Sequence, residues 1–186
     1  MTAVPDDEAC VTQCILEARA RLEKALQTSK RNADSAQVLA VSKTKPATLV
    51  RAAWQSGQRA FGENYLQEAL DKQQALSDLT DIEWHFIGPI QSNKTRAIAE
   101  HFTWVHTVER EKIARRLSEQ RPDELGALDV CLQVNISGET SKAGVAPQEL
   151  LALAETVIAL PGLRLRGLMA IPAPCAADAS ETERRA

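Results

Sequence analysis

The sequence has few aromatic residues and no excess of basic residues, and these two features together argue against a nucleic-acid partner. Aromatic residues make up 4% of the 186 residues. Lys and Arg total 22 against 25 Asp and Glu, which gives a net charge of −3. A nucleic-acid-binding surface normally needs a basic stripe, often with aromatic residues between the charges. We therefore expect no nucleic-acid partner.

Long hydrophobic runs are also missing. None approaches the roughly 20 apolar residues that cross a bilayer as a helix. The N-terminal segment carries Asp6, Asp7 and Glu8, whereas a secretory signal begins with basic residues. These features predict a cytoplasmic protein without a membrane partner.

Cysteine is scarce and is not arranged for metal binding. The four cysteines are Cys10, Cys14, Cys131 and Cys175. They form no CxxC pair and no cluster with histidine, so neither a zinc site nor a disulfide framework is expected. Cys10 and Cys14 lie one helical turn apart, where a metal or redox pair is possible, but small buried helix residues are the favoured interpretation. His101 and His106 lack carboxylate partners at ligand spacing and are expected to be structural or solvated.

The chain alternates between helical and strand patterns. A hydrophobic content of 44% is sufficient for one sizeable core. Apolar residues from Val11 to Leu26 recur every three or four positions, which predicts an amphipathic helix over residues 6–30. Strands are then expected near 38–43, 58–62, 82–87, 103–107, 128–136 and 163–171, with helices at 46–56, 63–76, 92–100, 109–120 and 147–160. This alternation predicts parallel strands with right-handed crossovers.

Such alternation fits either a doubly wound sheet or a (β/α)₈ TIM barrel, both of the α/β class. In the segment 128–136 one face is apolar, and the other carries Cys131, Gln133 and Asn135. Strands buried between two helical layers are apolar on both faces, so the barrel is favoured. About six of eight βα units are present, and two more would need roughly 45 further residues. We expect an incomplete barrel: residues 1–35 form a helix packing on it, 36–174 form the partial barrel, and 175–186 form a polar tail at a truncated end.

The segment Val38–Pro46 carries the most direct chemical signal. A short apolar strand delivers Lys43 and Lys45 to the point where the backbone must turn. Residues i and i+2 of a strand share a face, so the two ammonium groups are expected to crowd each other. Crowding favours the neutral amine, which is nucleophilic. A neutral amine condenses with an aldehyde.

The ends of the other strands supply polar groups for the same rim, because barrel sites gather where strands end. Lys43 is joined there by Asn64, His85 and Asn135, with Met169 nearby. A lysine suits covalent capture, amides and imidazole suit polar atoms of a ligand, and a thioether packs on a ring. The set predicts a site for a planar, polar, aldehyde-bearing ligand.

Several runs together resemble one known family. They are AVSKTKP, FGENY, EWHFIGPIQSNK, HTVER, QVNISGETSKAGV and RGLMAIPAP, within residues 38–174. The chain resembles the pyridoxal phosphate homeostasis protein family, small proteins related to the N-terminal barrel of alanine racemase. The resemblance implies pyridoxal 5′-phosphate as cofactor, with Lys43 forming the internal aldimine. It also implies that Asn64, His85, Asn135 and Met169 surround the cofactor, and, more remotely, that Lys142 takes part in secondary cofactor handling.

The resemblance further implies a function without substrate turnover. The protein would carry or buffer the cofactor through a reversible lysine Schiff base, in intracellular vitamin B6 homeostasis. Free amino acids and apo forms of enzymes that use the cofactor are the implied partners. The family holds the cofactor phosphate with segments that would follow Ala186, which predicts reduced affinity in this chain.

Two other functions compete with this one. The first is an amino-acid racemase or decarboxylase that uses the same cofactor; the related racemases take a second base, a tyrosine, from another domain. The only tyrosine here is Tyr65, immediately after Asn64. The second is an aldolase-like barrel in which Lys43 attacks sugar or keto-acid carbonyls. The spacing of Lys43 and Lys45 is compatible with both.

Overall fold

The structure of the protein, a computed structural model, describes residues 5–139 and 143–173. The strands are β1 (Ala40–Val41), β2 (Ala60–Glu63), β3 (Glu83–Phe86), β4 (Trp104–Val108), β5 (Leu128–Gln133) and β6 (Leu163–Met169). The helices are α1 (Pro5–Thr28), α2 (Ala47–Gln55), α3 (Leu66–Ala75), α4 (Thr95–His101), α5 (Glu111–Gln120) and α6 (Leu150–Ile158). The predicted alternation is confirmed. Lys142 and the predicted tail at 175–186 lie outside the described residues.

All strands of the described part run parallel in one sheet. Their order is β1-β2-β3-β4-β5-β6, so each strand lies beside its neighbour in the chain. A doubly wound sheet instead reverses its order at a switch point. Winding in a single direction with right-handed crossovers curls a sheet towards a barrel. The structure is therefore a partial (β/α)₈ barrel of the α/β class, as predicted.

The two faces of the sheet differ in character. On the face towards the helices, strand side chains form a buried core; they include Phe61, Phe86, Val105, Val130 and Leu132. The strand register places Val41, Gly62, His85, Trp104 and Asp129 side by side on the opposite face, which we call the inner face. Parallel neighbours in register point the same way, so the alternation in β5 continues across the sheet. Polar and aromatic residues therefore meet on the inner face.

Helix α1 packs against the first βα unit. Val11 and Ile15 contact the core, and Leu26 is buried. Arg19 reaches from α1 to the end of α2, where its guanidinium donates hydrogen bonds to the carbonyl oxygens of Ser56 (3.3 Å) and Gly57 (2.6 Å). Within the described ranges, no helix has both the length and the apolar character needed to cross a membrane.

The cysteines of α1 are not in the core. Cys10 and Cys14 are exposed, so the expectation of buried helix residues is wrong. The reason is rotational: the helix turns Val11 and Ile15, one position further along, towards the core. A side-chain hydrogen bond with Cys10 raises the pKa of the Cys14 thiol, because it stabilises the protonated form. Among the described residues there is no group of three His, Cys, Asp or Glu side chains suited to a metal ion.

Candidate cofactor-binding site

Lys43 lies in a tight turn directly after β1. The amide of Lys45 donates to the carbonyl of Ser42 (3.1 Å), and Thr44 between them has φ of 64°. The strand ends at Val41, so strand alternation does not extend to the lysines. The expectation that Lys43 and Lys45 share a strand face is therefore wrong. Lys45 instead lines a cavity of about 430 Å³ between α1 and the first βα unit, together with Asp7 and Cys10.

The side chain of Lys43 is exposed. Its amine makes no hydrogen bond or ion pair with any residue that the structure describes. Amines held in ion pairs are poor nucleophiles, because the partner stabilises the protonated form. Lys43 is thus accessible to a ligand at the end of the strands.

A buried ion cluster lies behind this turn, on the helix side of the sheet. Lys72 of α3 and Glu63 of β2 are buried at 5% and 0% exposure, and their side chains meet at 2.7 Å. The Ser42 hydroxyl donates to the same Glu63 oxygen (2.6 Å). Glu68, one helical turn before Lys72, accepts both from the Lys72 ammonium (2.6 Å) and from the Thr44 amide (2.5 Å). We refer to Ser42, Glu63, Glu68 and Lys72 as the strand-end cluster.

The ammonium group of Lys72 is fully used by this cluster. Its three donors go to Ser42 O, Glu63 Oε1 and Glu68 Oε1 at 2.6–2.7 Å. An ammonium has three N–H donors and no acceptor. Lys72 therefore has no free donor for a ligand. The Lys72 amine is thus unavailable to a ligand, whereas the Lys43 amine makes no hydrogen bond or ion pair with a described residue.

Asn64 follows β2 directly and is partly buried. It comes two residues after Gly62, the β2 residue on the inner face. Gly88, which follows β3, passes very close to it: a Cβ on Gly88 would lie 2.1 Å from the Asn64 carbonyl oxygen. Only glycine fits at that position, and the close approach fixes the backbone of Asn64.

His85 lies deeper on the inner face than Asn64, in register with Gly62 and Trp104. It is 2% exposed and stacks on the Trp104 ring, with centroids 5.4 Å apart. Its Nδ1 lies 2.9 Å from Nε2 of His106. Its Nε2 lies 3.8 Å from the Glu83 carboxylate and makes no hydrogen bond to another described residue.

Burial keeps both imidazoles neutral. It lowers the pKa of His85 to about 3, with a smaller contribution from the charge of His106, and it also lowers the pKa of His106. Desolvation penalises the charged form of a buried histidine. At neutral pH the pair can therefore share one hydrogen bond, in which one ring donates and the other accepts.

Asn135 and Met169 lie at the other edge of the sheet. Met169 ends β6 beside Gln133 of β5, and it is partly buried. Asn135 follows β5, where its side-chain amide donates to the carbonyl of Glu139 (2.9 Å) and its backbone amide donates to Val145 (3.0 Å). Asn135 thus also shapes its own loop. The structure places the five predicted residues at one end or on one face of the sheet, with His85 deepest.

Sequence reasoning missed two parts of this region. The strand-end cluster has one local signal: Glu63 is a charged residue that directly follows the apolar run 60–62, and a charge buried there requires a partner. His106 was expected to be structural or solvated, and its link to His85 was not foreseen. Trp104 stacks on His85 on the inner face, where Arg166 of β6 also lies over its ring at 5.6 Å.

Comparison with known proteins identifies the family. Residues 18–186 match the alanine racemase N-terminal domain family. A relative named pyridoxal phosphate homeostasis protein, from Pseudomonas aeruginosa, is 61% identical over 171 residues, which cover 92% of this chain and 74% of that protein. The chain belongs to the pyridoxal phosphate homeostasis protein family. The family resemblance drawn from the sequence motifs is thereby confirmed.

Further pyridoxal phosphate homeostasis proteins show the same relationship. The one from Vibrio cholerae is 55% identical over 165 residues, which cover 87% of this chain and 70% of that protein. Among solved structures, PipY of Synechococcus elongatus, described with PLP bound, is 40% identical with a TM-score of 0.71. The match covers 87% of this chain and 74% of PipY. This chain therefore shares its fold with a relative whose structure is described with PLP bound.

Proposed function

We propose that this protein binds pyridoxal 5′-phosphate through Lys43 and carries or buffers it in vitamin B6 homeostasis. The observation that supports the proposal most directly is the unpaired, exposed amine of Lys43 at the strand end, beside a second lysine whose donors are all occupied. The bound cofactor supplies an aldehyde that forms a reversible covalent bond with a lysine amine. Relatives with this name, and PipY with PLP bound, support the same function.

The other four predicted residues have distinct roles in the proposal. Asn64 and Asn135 present amide groups to polar atoms of the cofactor from opposite sides of the site. Met169 packs its thioether on the ring. His85 is neutral, so it offers the lower part of the pocket a hydrogen-bonding imidazole and an apolar wall with Trp104, rather than a positive charge. Of the five residues, only Lys43 would form a covalent bond with the cofactor.

Release completes the proposed cycle. A free amino acid, or the active-site lysine of an apo enzyme, supplies an amine that replaces Lys43 on the cofactor. We propose these two classes of amine as partners, and the cytoplasm as the compartment. The exchange needs an amine that an incoming molecule can reach, and the exposed position of Lys43 supports this requirement.

The assignment of Lys43 is tested by trapping. The protein is mixed with one equivalent of pyridoxal 5′-phosphate, reduced with borohydride and mapped by mass spectrometry. We expect one pyridoxyl adduct, on Lys43, and its loss in Lys43→Ala. Lys45→Ala is the matched control, because it removes another exposed lysine two residues away and is expected to keep the adduct. An adduct confined to another lysine, or none at saturation, rejects the assignment.

The absence of turnover is a separate part of the proposal. A racemase needs a base on each side of the cofactor, and Tyr65, the one tyrosine in the sequence, has an exposed side chain at the start of α3. We expect no sustained exchange of the alanine α-hydrogen in deuterated water with cofactor present. Catalytic exchange that disappears in Lys43→Ala would favour the racemase function instead.

A further inference from the structure

The strand-end cluster holds the backbone on both sides of Lys43. Before it, the Ser42 carbonyl accepts a 2.7 Å hydrogen bond from the Lys72 ammonium. After it, the Thr44 amide donates to Glu68, which is itself paired with Lys72. Both neighbours of Lys43 are therefore tied to one buried ammonium. The side chain between them is left free.

The same cluster reaches the second strand of the site. Glu63, which accepts from Lys72 and from the Ser42 hydroxyl, directly precedes Asn64. Glu63 is the last residue of β2, so anchoring its side chain on the helix side restrains the backbone at the point where Asn64 leaves the strand. The cluster thus sets β1 and β2 relative to each other where the site begins.

The turn itself needs such an anchor. Thr44 has φ of 64°, a conformation that β-branched residues disfavour. A buried ion pair is also a weak source of stability, since apolar residues of similar volume often serve as well. What charged hydrogen bonds add is directional geometry. This combination suggests that the cluster is there to hold the turn.

We propose that Lys72 is a positioning residue for Lys43. Through Ser42, Glu63 and Glu68, it holds the turn so that the Lys43 amine faces an incoming aldehyde. The inference rests on the proposed function of Lys43. It assigns Lys72 no contact with the cofactor.

Glu68→Ala gives the first test. It removes the acceptor of the Thr44 amide while leaving the buried Glu63–Lys72 pair, and the Glu68 side chain is 30% exposed, so the protein is expected to fold. Glu111→Ala is the matched control, because Glu111 also lies in the first turn of a helix and pairs with a basic residue four positions later, Arg115. The rate of Lys43 adduct formation is measured by borohydride quenching at set times, and backbone hydrogen exchange is measured without cofactor.

We expect Glu68→Ala to slow capture about tenfold, because small misplacement of a reacting group is costly. The amides of Thr44 and Lys45 are expected to exchange faster, with the rest of the protein unchanged. Glu111→Ala is expected to match the wild type in both measurements. Unchanged capture in Glu68→Ala overturns the proposal.

A second comparison separates positioning from stability. Lys72→Met leaves the Glu63 carboxylate buried without its cation, whereas the double variant Glu63→Gln with Lys72→Met removes that charge. We expect the double variant to regain resistance to urea relative to Lys72→Met. We expect its capture rate to stay about tenfold low, because the Ser42 carbonyl still lacks its ammonium.

Recovery of the capture rate together with stability would show a purely structural role for Lys72. Failure of the proposed function has a different signature, since the wild type itself would then form no adduct on Lys43. If the wild type forms the adduct and the double variant forms it equally fast, only the positioning role is lost.

Discussion

The Nδ1 of His85 lies 2.9 Å from the Nε2 of His106, so two imidazoles from neighbouring strands meet on the inner face of the sheet. At this distance one nitrogen must carry a proton and the other must lack one. If both rings become charged, two donors face each other. The hydrogen bond between the two rings can therefore form at neutral pH, and protonation of both rings in acid would break it.

Acid is expected to destabilise the protein through this pair. Burial lowers the pKa of His85 to about 3, against about 6.5 in the unfolded chain, so between these values the unfolded state binds the additional proton. Above pH 6.5 His85 has no effect on the free energy of unfolding, and stability falls as the pH drops below that value. From pH 7 to pH 5 the loss from His85 is about 2 kcal/mol.

Urea unfolding at pH 7 and pH 5 measures this loss. His85→Gln, which does not titrate, is expected to reduce the difference between the two pH values by most of that amount. The control is His101→Gln, since His101 is exposed at the end of α4. An identical pH dependence in wild type and His85→Gln would contradict the prediction.

Gly88 is expected to tolerate no side chain. In Gly88→Ala the new Cβ would lie 2.1 Å from the Asn64 carbonyl oxygen and 2.8 Å from its Cα, so the backbone of Asn64 must move. We expect a loss of about 2 kcal/mol or more in the free energy of unfolding, measured in urea. The same shift is expected to weaken cofactor binding, measured by titration.

The matched control for this substitution is Gly167→Ala. Gly167 lies in β6, and a Cβ there would meet no atom within 4 Å. The free energy of unfolding of Gly167→Ala is expected to stay within about 0.5 kcal/mol of the wild-type value. If both alanine variants were equally stable, the close contact at Asn64 would not be a constraint.

Arg19 is expected to hold α1 in place. We propose that residues 1–35 act as a helical support for the barrel, and the guanidinium hydrogen bonds to Ser56 and Gly57 are its polar anchor. Arg19→Ala is expected to lower the free energy of unfolding by about 1 kcal/mol, because the carbonyl oxygens of Ser56 and Gly57 lose their charged hydrogen-bond donor. Hydrogen exchange is expected to rise in α1 and to stay unchanged in β3–β5.

Arg21→Ala tests whether charge alone is responsible. Arg21 lies on the same helix, is exposed, and bonds to no residue in the described ranges. Exchange in α1 is expected to stay at the wild-type level. An equal effect of both substitutions would mean that the loss of positive charge, and not the anchor, loosens the helix.

Local patterns predicted the elements well because each rests on short-range periodicity. The predicted helix at 109–120 is observed at Glu111–Gln120, and the strand at 103–107 is observed at Trp104–Val108. The strand expected at 128–136 ends earlier, at Gln133, because the chain there pairs only through a single bridge from Val134 to Val145. Where a strand ends depends on its pairing with neighbouring segments, which the sequence of the strand alone does not show.

The amphipathic pattern of α1 did not predict how the helix is rotated about its own axis, and therefore which of its residues are buried. Cys10 and Cys14 share the spacing of a buried stripe, but the helix turns the neighbouring Val11 and Ile15 to the core instead. Two stripes offset by one residue are hard to separate when α1 is only weakly amphipathic. Packing against α2 decided the rotation.

By itself, the sequence determined the alternation of strands and helices, the two-sided character of β5 and the placement of Lys43 at a strand end, because these depend on residues close together in the chain. Only the tertiary structure decided that the side chains of Lys43 and Lys45 diverge. It also decided that Lys72 forms ion pairs with both Glu63 and Glu68, and that the His85 ring contacts the His106 ring. These contacts depend on the register between strands and on the packing of helices over them. Neither quantity is a property of any single segment, and each forms only when the whole sheet assembles.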